Sequence, residues 1–558
     1  MGAAGRRPRT HVTEGPQFSV DEIRTSQQAD PRRWLILVVL CLSTLVLVID
    51  NMVLTVAIPP LAEDLGASAQ DIQWIIDSYI LVFAGLLLTS GSLSDRFGRR
   101  RVMVIGLALF GAASLLGTLA GSPGQLILAR VLMGVGGALV MPSTLSILIT
   151  VFDEAERPRA VAAWGSVSML GVVGGPLLGG WLISAFWWGA VFLVNIPVAA
   201  LAIIAALALM PESKGPWRKA DPLGMVLSVA GMTALVWTIT ELPKDGLERT
   251  STQVTLALAV LALTGFAVWE TRTAHPMVPL ALFRNRVFTG SSLSLVLLTF
   301  ANGGLLLVLT QYLQFVLGYT PTQTGLAFTP LAVAALAFNG IGAALPAKTG
   351  TRIMVVLGLL LIAAGSAVLT GLSSGGGWGP LTCAMVLIGA GAGLVMPAAT
   401  SALMGAVPAE HAGVGSAVND TVQQAGAALG VAVLGAVLSS TYTSEMPEDA
   451  PAAARHAVSE ALVEAARTGD EGLAAASREA FTSAMSATFQ VGVCGVLGAA
   501  LLALCLLRSR KAETAAKEAA KEAAKEAAKP NAEEAAAERT AAGPAVLTQD
   551  QFAPVAGP

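Results

Sequence analysis

Residues 129–142 read ARVLMGVGGALVMP, and residues 384–397 read AMVLIGAGAGLVMP. Nine of these fourteen aligned positions are identical. A second echo lies at nearly the same offset. GSLSDRFGRRRVMVIG (91–106) aligns with AALPAKTGTRIMVVLG (343–358), so that Arg96 meets Lys348, Gly98 meets Gly350 and Arg100 meets Arg352. The chain therefore contains two copies of one unit. The first echo differs most at Arg130, whose counterpart is Met385.

Hydropathy says what the unit is. Of 558 residues, 54% are hydrophobic and 13% are charged, where soluble domains carry roughly 25% charged residues. The mean hydropathy of +0.68 points the same way. The chain reads as an all-α polytopic membrane protein. A helix crosses the hydrocarbon core in ~20 residues, and fourteen segments qualify: 34–57, 73–94, 102–120, 125–150, 160–184, 187–209, 223–241, 254–271, 287–308, 322–345, 353–372, 379–404, 413–438 and 487–507. The echoes fall in spans two to four and ten to twelve. Spans one to six and nine to fourteen are then two six-helix halves, with spans seven and eight inserted between them. Parallel six-helix halves around a central cavity are an architecture of rocking transporters.

This organisation divides the chain into a cytoplasmic N-tail (1–33), an N-terminal six-helix half (34–209), two additional transmembrane helices (210–286), a C-terminal half (287–508) with an external loop at 439–485, and a cytoplasmic C-tail (509–558). The short AFWWG connection at 185–189 sets interfacial tryptophans at a turn between spans five and six. Lysine and arginine give the orientation. With the N-terminus inside, inner segments before the C-tail hold about 20 basic residues and outer ones about five, so both termini are expected in the cytoplasm. The polar N-terminus has no short apolar core with a small-residue cleavage site, so it reads as a tail and not a signal peptide. The C-tail run ETAAKEAAKEAAKEAAKP reads as a solvated helix ended by Pro530, with Glu518–Lys521 and Glu522–Lys525 as i,i+3 pairs.

Several function classes are disfavoured. A net charge of −3 argues against a nucleic-acid partner. The four cysteines have neither disulfide nor metal-ligand spacing, and His275 and His411 have no ligand-spaced partner, so no metal site is expected. No nucleophile–base cluster shares a depth, so the chain does not read as an enzyme. No phosphate-binding glycine loop with lysine is present, so neither ATP nor a cofactor is implied and an ion gradient is the expected energy source.

The residues that do carry chemistry are few. Asp50 sits in VLVIDNMVLTVAIPP (46–60), where a charge at mid-membrane depth costs at least ~2.5–3.5 kcal/mol. It lies about seven residues from the outer end of span one, or ~10 Å at 1.5 Å per residue. Arg130 lies ~8–9 Å below the outer start of span four by the same measure. The two are at similar depth in one half and are expected to meet, with Asp50 loading and releasing protons and Arg130 as its partner. A static ion pair that sets helix register is the plainer alternative. In GSLSDRFGRRR, Gly91 permits close helix approach, Gly98 permits a tight turn, and Asp95 and Arg96 can pair with neighbouring helix ends in a gate, with Arg99 beside them. Gly171, Gly175 and Gly179 fall at i, i+4 and i+8, a smooth face for packing, and Pro176 permits a bend.

These motifs resemble those of the major facilitator superfamily. G-x-L-x-D-R-x-G-R-R-R is similar to its loop signature, and Arg130, Gly134, Gly136 and Ala138 to its fourth-helix motif. GVVGGPLLGG (171–180) is similar to the fifth-helix motif associated with antiporters. IDNMVLTVAIP and WIIDSYIL (74–81) resemble the first- and second-helix motifs of the fourteen-helix drug:proton antiporter branch, which includes quaternary-ammonium and dye pumps and antibiotic exporters. The resemblance covers roughly residues 34–508. It implies a monomer in the plasma membrane that exchanges protons for small amphipathic, cationic drugs or antibiotics. It raises Asp77 as a cation site, and Asp420 as a substrate or proton site in SAVNDTVQQAG, where related pumps can carry more acids. Trp74 and Tyr79, with Met52, Phe300 and Tyr312, are expected to line an aromatic pocket. A dedicated exporter of one endogenous antibiotic or metabolite is the alternative, and a non-transporting sensor a distant one.

Overall fold

The computed structural model describes residues 31–215, 221–245, 249–273, 275–373 and 377–507. Among them the regular structure is helical throughout. Residues 1–30 of the N-tail, the C-tail helix with its Glu–Lys pairs, and Arg218 and Lys219 in the orientation count lie outside the described residues. The first half holds α1 (Arg33–Leu65), α2 (Ala69–Phe97), α3 (Arg99–Thr118), α4 (Pro123–Val151), α5 (Arg157–Ala185) and α6 (Asn195–Leu209), the last preceded by a single turn, Ala190–Leu193. The inserted hairpin is α7 (Pro222–Asp245) and α8 (Thr250–Arg272). The second half holds α9 (Arg286–Gln311), α10 (Thr329–Ala344, with a leading piece Pro321–Ala327), α11 (Thr351–Leu369), α12 (Trp378–Gly405), α13 (Ala412–Glu445) and α14 (Glu471–Leu506).

Thirteen helices among the described residues are long and apolar enough to cross a membrane. The expected fifth span, 160–184, forms the 29-residue helix α5 but is not one of the thirteen, so the expected fourteen spans are not all confirmed. Two boundaries also move. The first helix continues to Leu65 instead of stopping near 57, and ends at Gly66 in the left-handed region (φ 60°), whose N–H bonds the Ala62 carbonyl. The last begins at Glu471 instead of 487. The Asp470 side chain caps it by accepting from the Leu473 N–H at 3.0 Å, and the alanine-rich run that follows favours helix and buries Ala480, Phe481, Ala484 and Met485 on one face. Much of the expected external loop is thus helix, and the remainder contains two short helices, Ala452–His456 and Val458–Thr468.

Within each half the helices with repeated sequence pack on each other: α3 on α4, and α11 on α12. The repeat explains the closeness. A methyl on Gly106 would meet the Gly136 carbonyl at 2.8 Å, and one on Gly358 would meet the Gly391 carbonyl at 2.7 Å. The halves meet through α2 against α13 and through α5 against α10. The inserted hairpin packs on the outside of α2 and α13.

Candidate functional site

Four helices of the first half converge on Asp50. Arg130 of α4 donates from Nη1 to Asp50 Oδ2 at 2.6 Å. Its Nε donates to the Ile75 carbonyl of α2 at 3.2 Å. Asn195, the first residue of α6, donates from Nδ2 to the other Asp50 oxygen at 2.8 Å and to Ser114 Oγ of α3 at 3.3 Å. The Tyr79 ring lies under the guanidinium, 4.3 Å from Cζ to the centroid, and stacks on Phe83. Both charged side chains are 1% exposed. Desolvating the two ions is compensated by the charge-assisted bond and the neutral donors around it, and removing one partner from such a pair costs ~3–5 kcal/mol.

The depth estimate thus brought the right pair together. Asn195 was missed. Its signal was the same as that of Asp50: a lone polar side chain in an apolar run, VFLVNIPVAALAII (191–204). Tyr79 was expected among substrate-lining aromatics, but the structure groups it with the ion pair.

The glycine face of α5 has a definite partner. Methyl groups at Gly171, Gly175 and Gly179 would meet Val48, Met52 and Val53 of α1 at 2.8, 2.5 and 2.9 Å. The face therefore seats the two turns of α1 that carry Asp50. Pro176 lies on the same helix, between the second and third of these contacts.

The loop between α2 and α3 forms a second polar cluster, at the junction of the halves. Asp95 accepts from the N–H groups of Gly413 and Val414 at 2.9 and 3.0 Å, at the N-terminus of α13. A carboxylate there satisfies donors that the helix cannot, and meets the positive end of its dipole. Arg99 donates twice to Asp95, at 2.9 and 2.7 Å, and once to the Ala409 carbonyl at 2.8 Å. The partner of Asp95 in this junction is therefore Arg99. The guanidinium of Arg96 stands 5.0 Å over the Phe97 ring. Gly98 turns the chain with φ 111°, and a methyl there would run into the Glu212 carboxylate at 2.5 Å. Glu212 accepts from the Arg100 N–H at 3.1 Å and lies 3.6 Å from Arg101 Nε. Gly91 crosses Gly413 so closely that a methyl on either would strike the other's carbonyl. Beside this junction, Asn339 of α10 bonds the Ala162 carbonyl and Ser166 Oγ of α5 at 3.1 and 2.9 Å. Neither Glu212 nor Asn339 stood out in the sequence.

The remaining expected site residues are separated. Trp74 stacks at an angle on Trp237 of the inserted hairpin, 4.9 Å between centroids. Next to them Gln73 Nε2 donates to both Asp77 and Glu241, at 3.1 and 3.0 Å. Asp420 is buried in α13, where Oδ1 accepts from Asn419 at 3.0 Å and Oδ2 has no partner. Met52 packs on Gly175, and Tyr312 donates to the Ser373 carbonyl at 2.8 Å within a separate apolar cluster of the second half. Trp74, Tyr79, Met52 and Tyr312 therefore pack in separate surroundings.

Residues 40–431 match the Major Facilitator Superfamily. The chain belongs to that family. It is 40% identical over 420 residues to the puromycin resistance protein pur8 of Streptomyces alboniger, covering 74% of this chain and 83% of that one. It is 37% identical over 412 residues to the multidrug efflux pump LfrA of Mycolicibacterium smegmatis, covering 72% and 80%. The human organic anion transporter MFSD10 (TETRAN) has a similar fold, with a TM-score of 0.56 at 15% identity over 84% of this chain and 100% of that one. The protein is thus a multi-pass membrane transporter and not an enzyme, and its relatives fit the drug-exporter branch that the motifs resemble.

Proposed function

We propose that this transporter exports amphipathic, cationic drugs or antibiotics from the cytoplasm in exchange for protons, by alternating access. The observation that carries the reading is the buried Asp50–Arg130 pair, joined at 2.6 Å. A carboxylate sealed by a guanidinium and an amide is a proton site that can load only when the pair opens. Five helices contribute to it, so opening it moves the first half as a unit. An external proton reaching Asp50 frees Arg130, and its release toward the cytoplasm re-forms the pair. A one-for-one exchange of a proton for a monovalent cation moves no net charge, so the pH gradient drives it at about 1.4 kcal/mol per pH unit, without a cofactor.

The Asp95–Arg99 cluster is the gate of this cycle. With the termini in the cytoplasm, as the basic residues favour, the clasp of Asp95 on α13 and of Asn339 on α5 joins the halves on the inner side. Asp420, with one buried carboxylate oxygen lacking a partner, supports contact with a cation inside the cavity. Asp77 with Trp74 supports a cation subsite nearer the outside. The protein is read as a plasma-membrane monomer.

Efflux of ethidium-like dyes, quaternary ammoniums and several antibiotics, measured with and without a protonophore, tests the reading. Export that survives collapse of both the pH gradient and the voltage refutes proton coupling. The relative's name as a puromycin resistance protein favours, as a second reading, a dedicated exporter of one antibiotic. The same panel separates the two, because that exporter would move one compound and ignore the rest.

A further inference from the structure

The inserted hairpin carries a buried carboxyl pair that the transport cycle does not use. Asp221 stands just before α7 and is 9% exposed; Glu270, in the last turn of α8, is 4% exposed. Asp221 accepts from the Gly224 N–H at 2.9 Å and, through both oxygens, from Trp269 Nε1 at 2.9 Å. Glu270 Oε2 accepts from the Val278 N–H at 3.1 Å, while Oε1 is buried and has no partner. Both carboxyls aim at one small space beside Gly224. A methyl built there would lie 2.5 Å from Asp221 Oδ2 and 2.9 Å from Glu270 Oε1. Asp221 is the charged group that faces Glu270. Among the described residues, no lysine, arginine or histidine is paired with either carboxyl.

Two ionised carboxyls cannot share a dry niche without a cation between them. A buried acceptor left unbonded is equally unfavourable. One proton resolves both problems. We propose that Asp221 and Glu270 hold a shared proton, carried on Glu270 Oε1 and donated as a hydrogen bond toward Asp221 Oδ2. The proton ties together the start of α7, the end of α8 and the backbone at Met277–Val278 that leads into the second half. Its loss to water leaves two facing negative charges and releases that tie. Gly224 is required because a methyl there would press on both oxygens, at 2.5 and 2.9 Å.

Infrared spectroscopy of the full chain in lipid vesicles, with choline as the other cation, tests this. At neutral pH the wild type minus Glu270→Gln difference spectrum should show one protonated-carboxyl band, because the variant lacks the acid. Asp221→Asn should lose the same band, because its amide can donate to Glu270 and let it ionise. Each variant is judged on material with an unchanged helical amide signal, and either one alone suffices. A folded variant that keeps the full wild-type band overturns the proposal. Loss of the band from the wild type when sodium or potassium replaces choline also overturns it, and assigns the niche to a metal cation.

Discussion

The loop at 91–106 and its repeat partner at 343–358 share a backbone and little else. Gly98 and Gly350 both turn the chain with positive φ, 111° and 92°, and both donate their N–H to the fourth residue back, Ser94 and Pro346. Their following helices, α3 and α11, pack the same way on α4 and α12. Yet Asp95 and Arg99 of the first copy correspond to Ala347 and Thr351 of the second, as Arg130 corresponds to Met385. The repeat therefore preserves the turn and the glycine contacts, while the charged clasp and the buried ion pair belong to one half. A symmetric scaffold needs its small residues in both copies to keep two helices close. A buried ion pair has no such need of a second copy, and a second buried charge would bring a second desolvation cost with no partner to offset it.

Swapping residues between the copies should break this asymmetry, most severely at the ion pair. Arg130→Met, which installs the second-half residue, leaves Asp50 buried and unpaired. It should cost ~3–5 kcal/mol of stability, read as a lower melting temperature in nanodiscs, and abolish efflux. Adding Asp50→Asn should recover most of the stability and none of the proton-driven transport. A double variant no more stable than Arg130→Met would show that the pair is not the source of the cost. Asp50→Asn alone should abolish gradient-driven efflux in energised vesicles while the protein remains in the membrane; retained efflux would leave the pair a purely structural contact.

At the crossing of the halves, Gly91→Val should force α2 away from α13, because even a methyl meets Ala417 and the Gly413 carbonyl at 2.5 Å. Efflux should fall at least tenfold, and cysteines placed on either side of the crossing should lose their cross-linking. Unchanged cross-linking would mean that the crossing is not closed by that contact. A smaller effect is expected of Asp95→Asn. It keeps the shape of the clasp but loses the charge at the helix end, worth about 1–2 kcal/mol. Labelling of cysteines placed beside the clasp should rise, and Ala347→Asp in the other copy should not restore it.

The smallest effect is expected in the segment between α13 and α14. There the hydrogen bond from Arg467 holds the Glu464 carboxyl below its ordinary value. A depressed carboxylate contributes stability above its ordinary pKa and loses it as the pH falls through the folded value, so any effect of this pair appears only in acid. Glu464→Gln should leave efflux at neutral pH unchanged; a change would give the helix Val458–Thr468 a part in transport.

Much of this was legible in the sequence. Spans announce themselves because a bilayer requires ~20 apolar residues in a row, and the repeat survived as identities. Asp50 and Arg130 could be paired because helix rise converts residue number into depth. The same arithmetic says nothing about rotation around a helix axis. That is why Tyr79 was expected with Trp74 although the two face different neighbours, Arg130 and Trp237. Helix ends were misplaced at Leu65 and Glu471 because hydropathy marks where lipid stops, while a helix continues until a cap or a left-handed glycine ends it.

By itself the sequence determined a two-copy helical membrane transporter with one charged half, because hydrophobic length, charge bias and motif spacing are properties of the chain read along its axis. Only the tertiary structure decided that Asn195 and Ser114 complete the Asp50 site, that Asp95 caps α13 across the halves, and that Asp221 and Glu270 face each other over Gly224. Those pairings join residues from separate helices, and they depend on how each helix is turned toward its neighbours.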